Sequence, residues 1–168
     1  SDPRKTMYFP KFDWPRIKNP YIKFPMSKDD LIEVVDNEQR AINQINTAID
    51  ENPNDIAAII IEPIQGEGGD NFFRDEFFVA LRSICDKNEM LLIFDEVQCG
   101  MGRTGKLFAY EWSEVNPDIM TIAKAIGNGF PLGACLTSKK VGEKMDFGSH
   151  GSTFGGNPLA CTVGNAVL

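Results

Sequence analysis

Two residues of this chain have the types and spacing for covalent catalysis. The apolar run Met90-Leu91-Leu92-Ile93-Phe94 ends on Asp95 and Glu96, and a second run, Ile119-Met120-Thr121-Ile122-Ala123, ends on Lys124. About five apolar residues closed by charge read as a strand buried on both faces, as in a parallel sheet. An acid and a lysine therefore stand at the carboxyl ends of successive strands, one crossover apart, and in open α/β sheets this edge is where ligands bind. A lysine amine forms a Schiff base with a cofactor aldehyde, and a carboxylate facing a pyridine nitrogen keeps the ring protonated as an electron sink. Lys124 suits the first role and Asp95 the second, so the pair points to pyridoxal phosphate. Gln98, just past the strand end, is placed to hydrogen-bond the ring hydroxyl. Taken singly, Asp95 also reads as a cap or turn former and Lys124 as a solvated surface charge; their position on successive strand ends favours chemistry.

Three loops share that edge or prepare an anion site. The run Ile56–Ile61 reads as a second buried strand, stopped by Pro63, which cannot donate to a sheet. The loop Glu62-Pro63-Ile64-Gln65-Gly66-Glu67-Gly68-Gly69 then carries two acids, although by itself it also reads as a polar, glycine-flexible turn. Residues Ser149-His150-Gly151-Ser152-Thr153-Phe154-Gly155-Gly156-Asn157 cluster hydroxyls and glycines before a helix start, which suits phosphate or an ordinary capped loop equally. No G-x-S-x-G frame makes Ser149-His150 a hydrolase elbow. Gly100-x-Gly102-x-x-Gly105 follows a strand and matches a dinucleotide fingerprint. Against it, Asp95 and Glu96 would repel a pyrophosphate, Lys106 to Glu114 is short and aromatic instead of opening a helix, and the strand is not the first of its unit.

The elements that must position these residues follow from periodicity. Residues 1–26, with Pro10, Pro15, Pro20 and Pro25, predict an extended segment packed through Tyr8, Phe9, Phe12 and Trp14, with a loop over Ser1–Lys5. Ser27, with Asp30 three residues on, starts a helix by a capping box. Leu31, Val34, Val35, Ala41, Ile42, Ile45 and Ile49 give it a core-facing stripe to about residue 51. A loop from Asp70 leads into a helix that ends near Lys87, with Phe77, Phe78, Leu81 and Ile84 toward the sheet. Strand, helix, strand implies a right-handed parallel crossover. A short strand over Leu132–Leu136, a short helix over Ser138–Met145 and a helix from Pro158 complete the order. The fold class is α/β, a mostly parallel central sheet flanked by helices.

The 168 residues suffice for one domain with a core. A net charge of −7 argues against nucleic acid or an anionic membrane as the main partner. No apolar run approaches a membrane span, and none reads as a signal peptide. Cys85, Cys99, Cys135 and Cys161 have no C-x-x-C spacing, and with the single His150 they predict no metal site but reduced thiols in a cytoplasmic protein.

The wording of the motifs goes further. Asp95-Glu-Val-Gln98, Gly100-x-Gly-Arg-Thr-Gly105, Pro117-Asp-Ile-x-Thr-x-Ala-Lys-Ala125 and Gly129-Phe-Pro-Leu-Gly-Ala134 resemble the class III (ornithine-type) aminotransferases. Up to Gln98 the chain is most similar to lysine 6-aminotransferase, including Tyr8-Phe-Pro-Lys-Phe-Asp-Trp-Pro15 and Gly68-Gly-Asp-Asn71. From Gly100 to the His150-Gly-Ser-Thr153 stretch and beyond, it resembles acetylornithine aminotransferase. The resemblance implies that residues 27–168 are part of the large domain of a fold-type I pyridoxal phosphate enzyme, with an active site shared across a homodimer. It places Glu62 near the cofactor, Glu67 in the substrate pocket, and Thr153, with Ser152 beside it, on the cofactor phosphate of the neighbouring subunit. The implied reaction moves the ω-amino group of a basic amino acid, lysine or N-acetylornithine/ornithine, to 2-oxoglutarate. The family's first phosphate loop and its C-terminal small domain would lie outside this segment, so the chain reads as an internal piece of a longer one. Two alternatives stay open: a non-catalytic fragment with an incomplete cofactor site, and an aminomutase or decarboxylase of the same fold.

Overall fold

A computed structural model of the chain describes residues 7–10 and 12–168; the loop expected over Ser1–Lys5 lies outside them. Helix α1 (Lys28–Glu51) starts as the capping box predicts: Ser27 Oγ accepts from the Asp30 N–H at 3.1 Å, and the Asp30 carboxylate accepts from the Ser27 N–H at 2.9 Å. Its buried face is Val34, Glu38, Ala41 and Ile45, whereas Leu31 and Val35 are exposed. Ile42 and Ile49 of the expected stripe pack partly buried against the same core, so that Leu31 and Val35 alone of its seven residues fall outside, while Glu38 joins the buried row. Glu38, 6% exposed, receives Arg74 in a two-pronged pair, Nε to Oε1 at 2.9 Å and Nη2 to Oε2 at 2.6 Å. Arg74 is the residue before helix α2 (Asp75–Lys87), so the pair ties the start of α2 to the middle of α1.

Four strands form one sheet in the order β1 (Ala58–Ile61), β2 (Leu91–Asp95), β3 (Ile119–Ile122) and β4 (Ala134–Thr137). The first three are parallel, with Ile61 opposite Phe94 and Asp95 opposite Thr121; β4 runs antiparallel to β3. Helix α2 lays Phe77, Phe78, Leu81 and Cys85 against the sheet, over the fully buried Leu92 and Phe94. Cys85 takes the fully buried place, with Ile84 half-buried beside it. Burial on both faces, expected from the apolar runs, does not hold. Ile60 is 65% exposed, β2 and β3 alternate buried with half-buried positions, and β4 is exposed along its length.

A second cluster, Met120, Ile122 and Ile126 with Met101, Phe108, Tyr110 and Leu132, lies under the sheet's carboxyl edge. It supports two 3₁₀ turns, Ala109–Trp112 and Lys124–Gly127. Helix α3 (Lys139–Gly142), capped by Ser138, is shorter than expected. Helix α4 (Pro158–Val167) packs on the Lys124–Gly127 turn, where a Cβ on Gly164 would come within 3.0 Å of Leu132 Cδ2. The segment from residue 12 to 23 has no regular secondary structure; its Phe12 and Trp14 rings stack on each other at 5.1 Å and stay exposed. Among the described residues no helix is long and apolar enough to cross a membrane.

Candidate active site

Asp95 and Lys124 occur where parallel pairing puts them, at the carboxyl ends of adjacent strands. Asp95 closes β2 and is half-buried. Its Oδ1 accepts from the Val97 N–H at 3.0 Å and from the Thr121 hydroxyl at 3.2 Å. Both bonds fall on Oδ1, which leaves Oδ2 for a ligand donor. Beyond β3 the chain passes through extended Ala123 into Lys124, whose φ of 50° lies in the left-handed region that a lysine seldom adopts. Lys124 Nζ is exposed and donates to Gln98 Oε1 at 2.8 Å. The amine, the amide and the carboxylate expected from sequence thus share one edge, two of them in contact.

The acidic loop after β1 folds over the same edge. Glu62 Oε2 accepts from the Gly66 N–H at 3.0 Å and closes the loop on itself. The Gly66 carbonyl accepts from the N–H groups of Gly69 and Asp70, and Asn71 fixes Gln65 through a 2.7 Å bond. Glu67 is exposed at the tip. Ser152 and Thr153 lie exposed in the loop before α4; no hydrogen bond within the described chain joins either to Lys124, Gln98 or Asp95. The helix start itself is capped by Asn157, whose Oδ1 accepts from the Ala160 N–H at 2.9 Å.

One residue that carries the site escaped the sequence reading. Glu96, 1% exposed, accepts from the Ala109 N–H at 2.7 Å and the Tyr110 N–H at 2.8 Å. It satisfies two donors that a short helical turn leaves unpaired. Burial pushes its carboxyl pKa up, against the pull of those two bonds. Its partners are 13 and 14 residues away in a stretch without periodicity, so no spacing signal marked it. The glycine fingerprint is occupied by turn geometry. The Gly102 N–H bonds the Leu107 carbonyl, the Gly105 N–H bonds the Gly102 carbonyl, and the next element is the four-residue turn Ala109–Trp112. A pyrophosphate would find neither amide free and no helix start.

A cavity of about 530 Å³ is lined by Gly66, Gln98, Phe73, Arg103 and Trp112 among others, and neither Lys124 nor Asp95 is among its lining residues. It abuts the site through Gln98 and Gly66, and the chemistry lies with the strand-end cluster. No group of three or more metal-ligating side chains occurs among the described residues, and all four cysteines are free.

An amine beside an amide and a carboxylate, on the carboxyl edge of a mainly parallel sheet, defines a cofactor-dependent α/β enzyme site. Residues 6–168 match the family model for Aminotransferase class-III, and the chain belongs to that family. Acetylornithine aminotransferase of Mesorhizobium japonicum is 62% identical over 112 residues, 67% of this chain and 28% of the relative. That of Clostridium acetobutylicum is 60% identical over 112 residues, 67% of this chain and 29% of the relative. Among solved structures, a lysine aminotransferase from M. tuberculosis in the internal aldimine form superposes with TM-score 0.85 at 39% identity, covering 99% of this chain and 37% of that one. Plasmodium falciparum ornithine delta-aminotransferase gives 0.69 at 38%, covering 75% and 33%. The chain therefore spans roughly a third of the length of these proteins. Both branches expected from the motifs, lysine and acetylornithine, are represented, and the fold is that of the fold-type I enzymes. Class III aminotransferases depend on pyridoxal phosphate, and the donor set fits it. Lys124 offers an exposed amine, Gln98 keeps its amide N–H₂ free of Lys124, and Asp95 keeps Oδ2 for a ring nitrogen.

Proposed function

We propose that this chain carries the lysine-bearing part of a pyridoxal phosphate transaminase site. The reaction moves the ω-amino group of lysine, N-acetylornithine or ornithine to 2-oxoglutarate, giving a semialdehyde and glutamate. The observation that carries the reading is the 2.8 Å contact of Lys124 with Gln98, one strand away from Asp95. When bound, the cofactor supplies an electron sink and a carrier for the amino group. Lys124 Nζ would hold the cofactor through its aldehyde and, once the donor amine has displaced it, would take the proton from the amino-bearing carbon as a free base. Asp95 Oδ2 would pair with the ring nitrogen. Gln98 Nε2 would donate to the ring phenolic oxygen while its Oε1 orients the amine. Glu62 acts near the cofactor through the loop that its carboxylate closes, and Glu67 faces the donor. Thr153, with Ser152, would hold the phosphate of a second copy in a homodimer; their exposure in the loop before α4 supports that arrangement. Residues 27–168 would form part of the large domain, and the four free thiols support a cytoplasmic setting.

Borohydride reduction with pyridoxal phosphate, followed by peptide mapping, tests the assignment. A cofactor adduct on Lys124, absent in Lys124→Ala, is expected; an adduct of equal yield in Lys124→Ala overturns it. Product analysis with lysine, ornithine and N-acetylornithine plus 2-oxoglutarate separates transamination from decarboxylation or amino-group migration.

A further inference from the structure

Gly66 and Gln98 approach each other more closely than any side chain at position 66 would allow. A Cβ on Gly66 would sit 2.1 Å from Gln98 Nε2, 2.4 Å from Cδ and 2.8 Å from Oε1. Three hydrogen bonds hold the Gly66 backbone in place: its N–H to Glu62 Oε2 at 3.0 Å, and its carbonyl from the N–H groups of Gly69 at 3.0 Å and Asp70 at 3.1 Å. Gly66 does not adopt a positive φ, and the three atoms nearest an added Cβ all belong to Gln98. A pinned backbone facing the far end of a flexible side chain resolves such a conflict in one way: the side chain leaves. Gln98 is the side chain that accepts from Lys124 Nζ.

We propose that Gly66 is a positioning residue, kept without a side chain so that the Gln98 amide lies flat under the Glu62–Gly66 loop and meets Lys124. The loop thereby sets the place of the amide, and through it the direction of the amine, without itself touching either reacting atom. This rests on the reading of Lys124 as the cofactor lysine. The packing claim can be judged separately from that reading.

The test uses the full chain and the substitutions Gly66→Ala, Gln98→Ala, their combination, and Gly68→Ala. At Gly68, two residues on in the same loop, the atoms nearest an added Cβ belong to the Gln65 side chain, from 3.2 Å, and this position serves as the control. The first readout needs no cofactor: the Gln98 side-chain amide signal in ¹⁵N-labelled protein, assigned by its loss in Gln98→Ala. It is expected to move in Gly66→Ala and in Lys124→Met, and to stay in Gly68→Ala. The second is affinity for pyridoxal phosphate. Loss of one hydrogen bond to a charged group corresponds to about 10-fold, so Gly66→Ala and Gln98→Ala should each weaken binding about 10-fold. The double variant should be no weaker than Gln98→Ala, because the two changes break one contact. An unmoved amide signal in Gly66→Ala, or independent effects multiplying to about 100-fold, overturns the proposal. If Gly66→Ala does not fold, recovery of folding in the double variant supports the clash with Gln98, and continued unfolding overturns it. Absence of saturable cofactor binding in the unmodified chain would count against the wider functional reading, while the amide signal still decides the packing.

Discussion

Removing the Glu96 carboxylate should unfasten the 3₁₀ turn that props the carboxyl edge of the sheet. In Glu96→Ala the N–H groups of buried Ala109 and half-buried Tyr110 lose acceptors at 2.7 and 2.8 Å. A hydrogen bond to a charged group contributes about 1.5–3 kcal/mol, so two are worth about 3–6 kcal/mol. Burying the charge offsets part of this, as its raised pKa shows, which leaves a net cost of about 3 kcal/mol. Against a typical domain stability of about 5–15 kcal/mol, the loss is large. With a slope near 2 kcal/mol per molar urea, the denaturation midpoint should fall by about 1.5 M. Glu96→Gln keeps one acceptor but turns an amide N–H₂ against the second backbone N–H, and should cost about 2 kcal/mol. Urea unfolding followed by far-ultraviolet circular dichroism measures both. Midpoints for both variants within about 0.25 M of the unmodified chain, roughly 0.5 kcal/mol at that slope, would show that the buried carboxylate does not hold the turn.

Two other consequences are open to measurement. Burial pushes the Cys85 and Cys99 thiols up to about 11 from an ordinary 9.0, so above pH 9 the unfolded chain releases protons that the folded chain keeps. Stability is then full below pH 9 and falls as pH rises toward 11, by about 2 kcal/mol per thiol; urea midpoints at pH 8 and 10.5 should converge in a Cys85→Ala/Cys99→Ala variant, and an unchanged fall would refute the assignment. Thr121→Val keeps the volume but deletes the bond to Asp95 Oδ1, and about a 10-fold weaker hold on pyridoxal phosphate is expected, with Thr121→Ser retaining affinity; equal affinities for the two variants would remove Thr121 from the site.

Much of this was legible because strand ends are legible. Apolar runs closed by Asp95 and Lys124 predicted both strands, and parallel pairing did the rest. What periodicity could not supply was anything decided across the fold. Glu38 sits in a buried row of α1 because Arg74, 36 residues away, meets it. Leu31 and Val35 keep the helical spacing of the stripe and are nonetheless exposed. The antiparallel turn of β4 left no mark in its four residues. Burial was overestimated because an apolar run says that a residue suits a core, whereas covering Ile60 takes a second element above it. Glu96 was read as a charge closing a strand and Gly66 as part of a polar, flexible turn; their work depends on atoms that approach only after folding.

The left-handed backbone of Lys124 sets folding and function against each other at a single position. Of the twenty amino acids, glycine would rest there most comfortably, so a library screened for thermal endurance alone should drift toward Lys124→Gly and lose its amine as it gains robustness. A lysine at such a site is what the cofactor role proposed above would require.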